Sequence, residues 1–191
     1  TNTTGRANTF IGGLSGVYNT TADYNTFMGY ASFLNNTTGT GNCGFGAFSG
    51  NRATDSSYTV YIGYGAGYYN NGGYNTFIGY QSGYGVSNNN NLNNTFIGAQ
   101  SGYSITTGAD NVFVGLNSGY NNTTGFRNTF LGSGSGYSNS TGNKDIFIGY
   151  RSGYSNTTGY NNEFIGEESG YSNITGYSNT FIGRSSGYSN N

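Results

Sequence analysis

No histidine occurs anywhere in this chain, which removes the commonest general base and the commonest metal ligand. Proline and tryptophan are absent too, and charge is scarce: six basic and seven acidic side chains in 191 residues, for a net charge of −1. A clustered basic field is needed to attract nucleic acid or an anionic membrane surface, so neither is expected as a partner. The single cysteine, Cys43, cannot form an internal disulfide, and with no histidine to activate it, it reads as a tolerated substitution rather than a nucleophile. No run of eighteen apolar residues exists and no basic-then-apolar leader opens the sequence, so no membrane insertion is expected. The chain reads as a mature secreted product or a fragment, extracellular or at a cell or virion surface.

What remains is glycine (36 residues), asparagine, serine, threonine and a high aromatic content of 20 Tyr and 13 Phe, with only 33% of residues hydrophobic. That is far from average globular usage. A disordered segment, however, should be poor in aromatics and strongly charged, and this chain is neither.

Internal repetition resolves the composition. The motif N-T-F-I-G recurs with close variants, its glycine falling at Gly12, Gly29, Gly46, Gly63, Gly79, Gly98, Gly115, Gly132, Gly149, Gly166 and Gly183. The spacing is seventeen except for one of sixteen, around Tyr74, and one of nineteen, where a loop insertion is expected near 86–92. The whole chain, 1–191, therefore reads as one tandem-repeat domain. Four columns are held across the repeats. An aliphatic column comprises Ile11, Met28, Phe45, Ile62, Ile78, Ile97, Val114, Leu131, Ile148, Ile165 and Ile182. An aromatic column just before it comprises Phe10, Phe27, Tyr61, Phe77, Phe96, Phe113, Phe130, Phe147, Phe164 and Phe181, with Gly44 as the exception and Phe45 beside it as apparent volume compensation. An asparagine ladder runs through Asn8, Asn25, Asn42, Asn75, Asn94, Asn111, Asn128, Asn162 and Asn179, interrupted by Thr59 and Asp145. A tyrosine strip runs through Tyr68, Tyr84, Tyr103, Tyr120, Tyr137, Tyr154, Tyr171 and Tyr188, with Val17, Leu34 and Asn51 in the first three copies. Three residues after the motif glycine stands Ser or Ala, followed by Gly in every copy but one, where Phe33 stands; small residues there suggest a tight corner.

A glycine every five or six residues, each costing about 1 kcal/mol relative to alanine, excludes helix. The expected fold is all-β: a parallel β-solenoid of about eleven 17-residue coils, with one short strand over N-T-F-I and a second over S-G-Y-S or T-G-Y-N. At about 4.8 Å per coil the stack would be roughly 50 Å long. Adjacent strand residues point to opposite faces, so the aromatic and aliphatic columns cannot both enter the coil. The expectation is that the aliphatic column fills the interior and the aromatic column needs a covering surface such as another chain. The alternative keeps the aromatic ladder inside a flattened coil.

The NTFIG, SGY and NTTG elements resemble the tandem repeats of phage tail-fibre-like proteins and bacterial surface proteins across all eleven copies. More distantly, N-T-F-I-G is similar to the strand motif in the head domains of trimeric autotransporter adhesins, whose coils are shorter. The resemblance implies projection and attachment at a surface; the residues themselves point to the chain itself as partner and to surface glycans as a second one.

No enzyme, metal or cofactor is expected. Glu163, Glu167 and Glu168 form the densest acidic group but occupy variable slots, where charge solvates a face. Asp23, Asp55, Asp110 and Asp145 follow no calcium-roll spacing. The tyrosine strip is a candidate surface for sugars, although ring packing alone explains it. Sequons stand at Asn19, Asn36, Asn122, Asn156 and Asn173. Threonine pairs such as Thr20–Thr21 and Thr157–Thr158 suggest an ice-binding array, but the pairs fail in several copies. Joining the C-terminal Ser189-Asn190 to the N-terminal repeat recreates a turn of the same kind, so end-to-end stacking into fibres is expected. The leading reading is a structural and adhesive extracellular filament, with a glycan- or receptor-binding shaft and an ice-binding protein as alternatives.

Overall fold

The computed structural model describes residues 2–86 and 89–190. Eleven strands, β1 (Thr9–Ile11), β2 (Thr26–Met28), β3 (Cys43–Phe45), β4 (Val60–Ile62), β5 (Thr76–Ile78), β6 (Thr95–Ile97), β7 (Val112–Val114), β8 (Thr129–Leu131), β9 (Ile146–Ile148), β10 (Glu163–Ile165) and β11 (Thr180–Ile182), lie in chain order in one parallel sheet. The fold is an all-β solenoid with one strand per coil. Every pairing is in register, column on column: Phe10 faces Phe27, Thr76 faces Thr95 and Ile148 faces Ile165.

Each strand is three residues long, shorter than expected, and no second strand per coil forms among the described residues. Backbone bonding from coil to coil nevertheless continues beyond the strands, as in Gly16 N–H to Ser32 O (3.0 Å), Ser138 N–H to Tyr154 O (3.0 Å) and Thr123 N–H to Ser140 O (2.9 Å). The remainder of the coil is built from turns because it needs positive φ repeatedly. The motif glycines hold φ from +118° to +138°, a region closed to side-chain-bearing residues, and a Cβ on Gly98 would sit 2.5 Å from the Gly115 carbonyl oxygen.

The strand alternation resolves against the expected orientation. The aromatic column is inside: Phe27, Tyr61, Phe77, Phe96, Phe113, Phe130, Phe147 and Phe164 are completely buried, whereas Ile11 and Ile182 are 51% and 68% exposed and Met28, Ile62, Ile97 and Ile165 also face solvent. The reason lies at the corner. The glycine six residues after each aromatic but Phe27 lets the ring lie flat against the backbone; a Cβ on Gly119 would stand 2.5 Å from the Phe113 ring. An interior lined by such a corner accepts a flat ring, and the shorter aliphatic chain is left outside with the threonine column.

The rings form one continuous ladder with centroids 4.4 to 5.4 Å apart and planes within 15° of parallel, from Phe10 to Phe181. The rung missing at Gly44 is supplied by Phe33, not by Phe45. Phe33 leaves its own corner and stacks between Phe27 (4.4 Å) and Tyr61 (5.4 Å). Gly44 and Phe33 are thus an exchanged pair, since a Cβ on Gly44 would meet the Phe33 ring at 2.6 Å.

The insertion expected near 86–92 is only partly described, Ser87 and Asn88 lying outside the described residues. It is not simply extruded. Asn89 and Asn91 are buried, and Asn91 accepts from the Asn70 amide (2.7 Å) through its side chain and from the Asn75 amide (2.9 Å) through its backbone carbonyl. Strands β5 and β6 stay in register across it.

Candidate functional site

Beside the aromatic ladder the interior holds amides. In the ladder that begins at Asn8, each side-chain oxygen accepts the backbone N–H of the next coil, as in Asn25 to Asn8, Asn42 to Asn25, Asn111 to Asn94 and Asn128 to Asn111, all 2.9 Å. In seven of the nine asparagines the side-chain NH₂ donates to a turn carbonyl fourteen residues on, as in Asn111 to Gly125 (2.8 Å) and Asn162 to Gly176 (2.8 Å); Asn75 donates sixteen residues on, to Asn91, and Asn179 donates back to Asn162 Oδ1. One asparagine therefore satisfies two buried backbone groups that the short strands leave unpaired. At Thr59 both the backbone N–H (3.1 Å) and the hydroxyl (2.9 Å) donate to Asn42 Oδ1.

Asp145 occupies the same slot and is fully buried. Its Oδ1 accepts from the Asn162 backbone N–H (2.8 Å) and side-chain NH₂ (3.2 Å), and its Oδ2 from Asn139 (3.2 Å) and Asn156 (3.5 Å). All partners are neutral. Burial pushes the carboxyl up to about 7, against the opposing hydrogen bonds from Asn162 and Asn139.

A second amide ladder escaped the sequence reading, which took its members as turn residues and sequons. Asn19, Asn36, Asn122, Asn139, Asn156 and Asn173 are completely buried. They bond to one another, Asn36 to Asn19 at 2.9 Å, Asn173 to Asn156 at 3.0 Å and Asn122 to Asn139 at 3.3 Å. Apolar Ala53 and Ile105 interrupt it, and the buried oxygens left without donors, Asn36 Oδ1 and Asn122 Oδ1, belong to the asparagines next to those two breaks. The burial also means that the sequon asparagines Asn19, Asn36, Asn122, Asn156 and Asn173 are closed to glycosylation in the folded protein. A regular Asn every seventeen residues was the available signal.

The tyrosine strip is where expected, half-buried along one edge of the coil. Its rings stack from Tyr68 to Tyr188 at 5.0 to 5.2 Å. Burial and the neighbouring tyrosines raise the pKa of Tyr84 and Tyr120. Stacking covers the ring faces, so only edges and hydroxyls meet solvent. The first threonine of each pair is similarly committed: Thr20, Thr37, Thr106, Thr123 and Thr157 each donate their hydroxyl to a carbonyl one coil away.

Cys43 lies on the outward threonine column of β3, between Thr26 and Val60, its thiol pushed up by partial burial. Glu163 is exposed on β10, and Glu167 pairs with Arg184 at 3.5 Å on the surface. Among the described residues no group of three His, Cys, Asp or Glu could hold a metal ion, and no helix is long and apolar enough to cross a membrane.

The rod surface also carries concave sites. A cleft of about 740 Å³ spans the first four coils, lined by Tyr18, Thr20, Asn35, Thr37, Arg52, Thr54, Tyr69 and Asn71. The sequence reading had no place for it, because these residues vary from copy to copy and only their i+17 spacing aligns them. The chain matches no protein-family model, no curated protein and no solved structure.

Proposed function

We propose that this protein is a structural filament unit that assembles by stacking coil upon coil, extracellularly or at a cell or virion surface, and that it has no catalytic role. The observation that carries this reading is the in-register parallel ladder: the upper edge of a regular coil offers the backbone donors and acceptors, the ring and the amide that the lower edge of the next coil takes. The half-buried terminal rings Phe10 and Phe181 offer the same surface that each inner ring gives its neighbour. Parallel edges of this kind are templates for further pairing. The exposed aliphatic column supports sideways association of rods as part of the same reading.

The test is electron microscopy and light scattering of purified protein over a concentration series. The expected result is unbranched fibres with a spacing of about 4.8 Å along the axis. Monodisperse particles no longer than one eleven-coil stack at high concentration would sink the filament reading.

A further inference from the structure

We propose that the cleft across the first four coils binds a short acidic oligosaccharide, its sugar rings against Tyr18 and Tyr69 and its carboxylate on Arg52. This site does not depend on filament assembly.

Four residues at seventeen-residue spacing, Tyr18, Asn35, Arg52 and Tyr69, form the cleft's upper row. The equivalent slot in the later coils is Ser or Asn from Ser104 to Ser189, so the aromatic and cationic groups are confined to this end of the rod. Two tyrosines three coils apart stand about 14 Å from each other along the axis, the span of an oligosaccharide rather than of one sugar. Among the described residues Tyr18 stacks on no other ring, and it is 54% exposed, so its face is open, unlike the faces in the tyrosine strip. Tyr69 meets Tyr68 and Tyr84 edge-on, at 68° and 85°. An open aromatic face, with its negative quadrupole, suits the apolar C–H side of a pyranose.

The polar groups favour a ligand rich in hydroxyl donors. Asn35 spends its NH₂ on the Asn51 carbonyl (2.8 Å), leaving Oδ1 to accept. Thr20 and Thr37, both in the lining, donate their hydroxyls into the backbone (2.9 and 3.0 Å), which leaves their oxygens to act as acceptors. Arg52 is the one charged residue in the lining, and its guanidinium forms no ion pair or hydrogen bond among the described residues. An unpaired guanidinium among acceptors and open aromatic faces matches a carboxylate borne on a sugar. The volume falls within the usual range for ligand sites of roughly 300–1,000 Å³.

The experiment is calorimetric titration of the full chain with trigalacturonate and, separately, with the neutral galactotriose of the same linkage. Saturable binding of the acid and much weaker binding of the neutral sugar are expected. Arg52→Gln should weaken the acid at least tenfold, from the usual worth of a charged hydrogen bond, and Tyr18→Ala by about 2- to 10-fold. Both side chains are exposed, so both variants should keep the wild-type circular dichroism spectrum. Tyr137→Ala, in the stacked strip, should leave binding unchanged. Absence of saturable binding, equal binding of the neutral sugar, or a loss with Tyr137→Ala but not with Tyr18→Ala would each overturn the assignment.

Discussion

Replacing Asp145 by asparagine should stabilise the protein by an amount that depends on pH. The carboxyl titrates near 7 in the folded chain, against 3.8 for an ordinary aspartate. Below about pH 4 it is protonated in both states and its contribution is fully present. Between about 4 and 7 the unfolded chain ionises while the folded chain keeps its proton, so stability falls as pH rises; above 7 both states are ionised and the loss is complete. At 1.36 kcal/mol per pH unit the gap corresponds to about 4 kcal/mol. The structural cause is local. The asparagines on either side in this ladder, Asn128 and Asn162, offer an NH₂ to a turn carbonyl, and Asp145 can supply a donor there only as the neutral acid. Urea denaturation of wild type and Asp145→Asn from pH 4 to pH 9 isolates this group, because contributions from the other carboxylates cancel in the difference. The advantage of the variant should grow by about 4 kcal/mol between pH 4 and 8, and exchange of the Asn162 amide, which donates to Asp145, should slow in parallel. A difference that is flat with pH, or one that shrinks as pH rises, would refute the reasoning.

Three further perturbations probe the ladders. Phe33→Gly should cost about 3–5 kcal/mol by opening a ring-sized hole, and Gly44→Phe alone should be destabilising through overpacking, whereas the double exchange restores the arrangement of the other coils and should recover most of both losses in a thermodynamic cycle. Gly98→Ala, at φ +135° with the Gly115 carbonyl in the way, should destabilise by about 3 kcal/mol or more and split the stack into two blocks that melt separately, visible by calorimetry. Tyr61 carries a fully buried hydroxyl that has the Thr59 and Asn75 side chains as neighbours yet forms no hydrogen bond of ordinary geometry, and burial raises its pKa. Tyr61→Phe should therefore raise stability by about 1 kcal/mol, and a loss of that size would show the hydroxyl to be satisfied.

The solenoid, its period and the parallel in-register stacking were legible because NTFIG and its close variants recur in eleven copies. The inside and outside of the coil were not. Alternation says only that Phe113 and Val114 point opposite ways; the choice is made by Gly119, six residues on, whose missing Cβ makes room for a ring. The sequence did contain the clue in its exceptions, since Phe33 and Gly44 both break their columns and each explains the other. The second amide ladder was hidden by composition: in a chain so rich in Asn and Thr, Asn122-Thr123-Thr124 reads as a turn before it reads as a buried rung. The cleft was invisible for the opposite reason, as Tyr18, Asn35, Arg52 and Tyr69 share a slot but no chemistry.

The exchanged pair at Phe33 and Gly44 carries a consequence for alignment. A stack of near-identical rungs is close to translationally degenerate, and sliding one part of the chain past another by a whole coil would preserve almost every backbone bond. Such a slip would bring Phe33 against a rung that already has its ring and leave the gap at Gly44 empty, so a clash and a void would appear together. The irregular spacings before and after Gly79 act in the same sense, as do the breaks at Ala53 and Ile105. Departures from the repeat are thus the marks that let a periodic chain find one alignment among many.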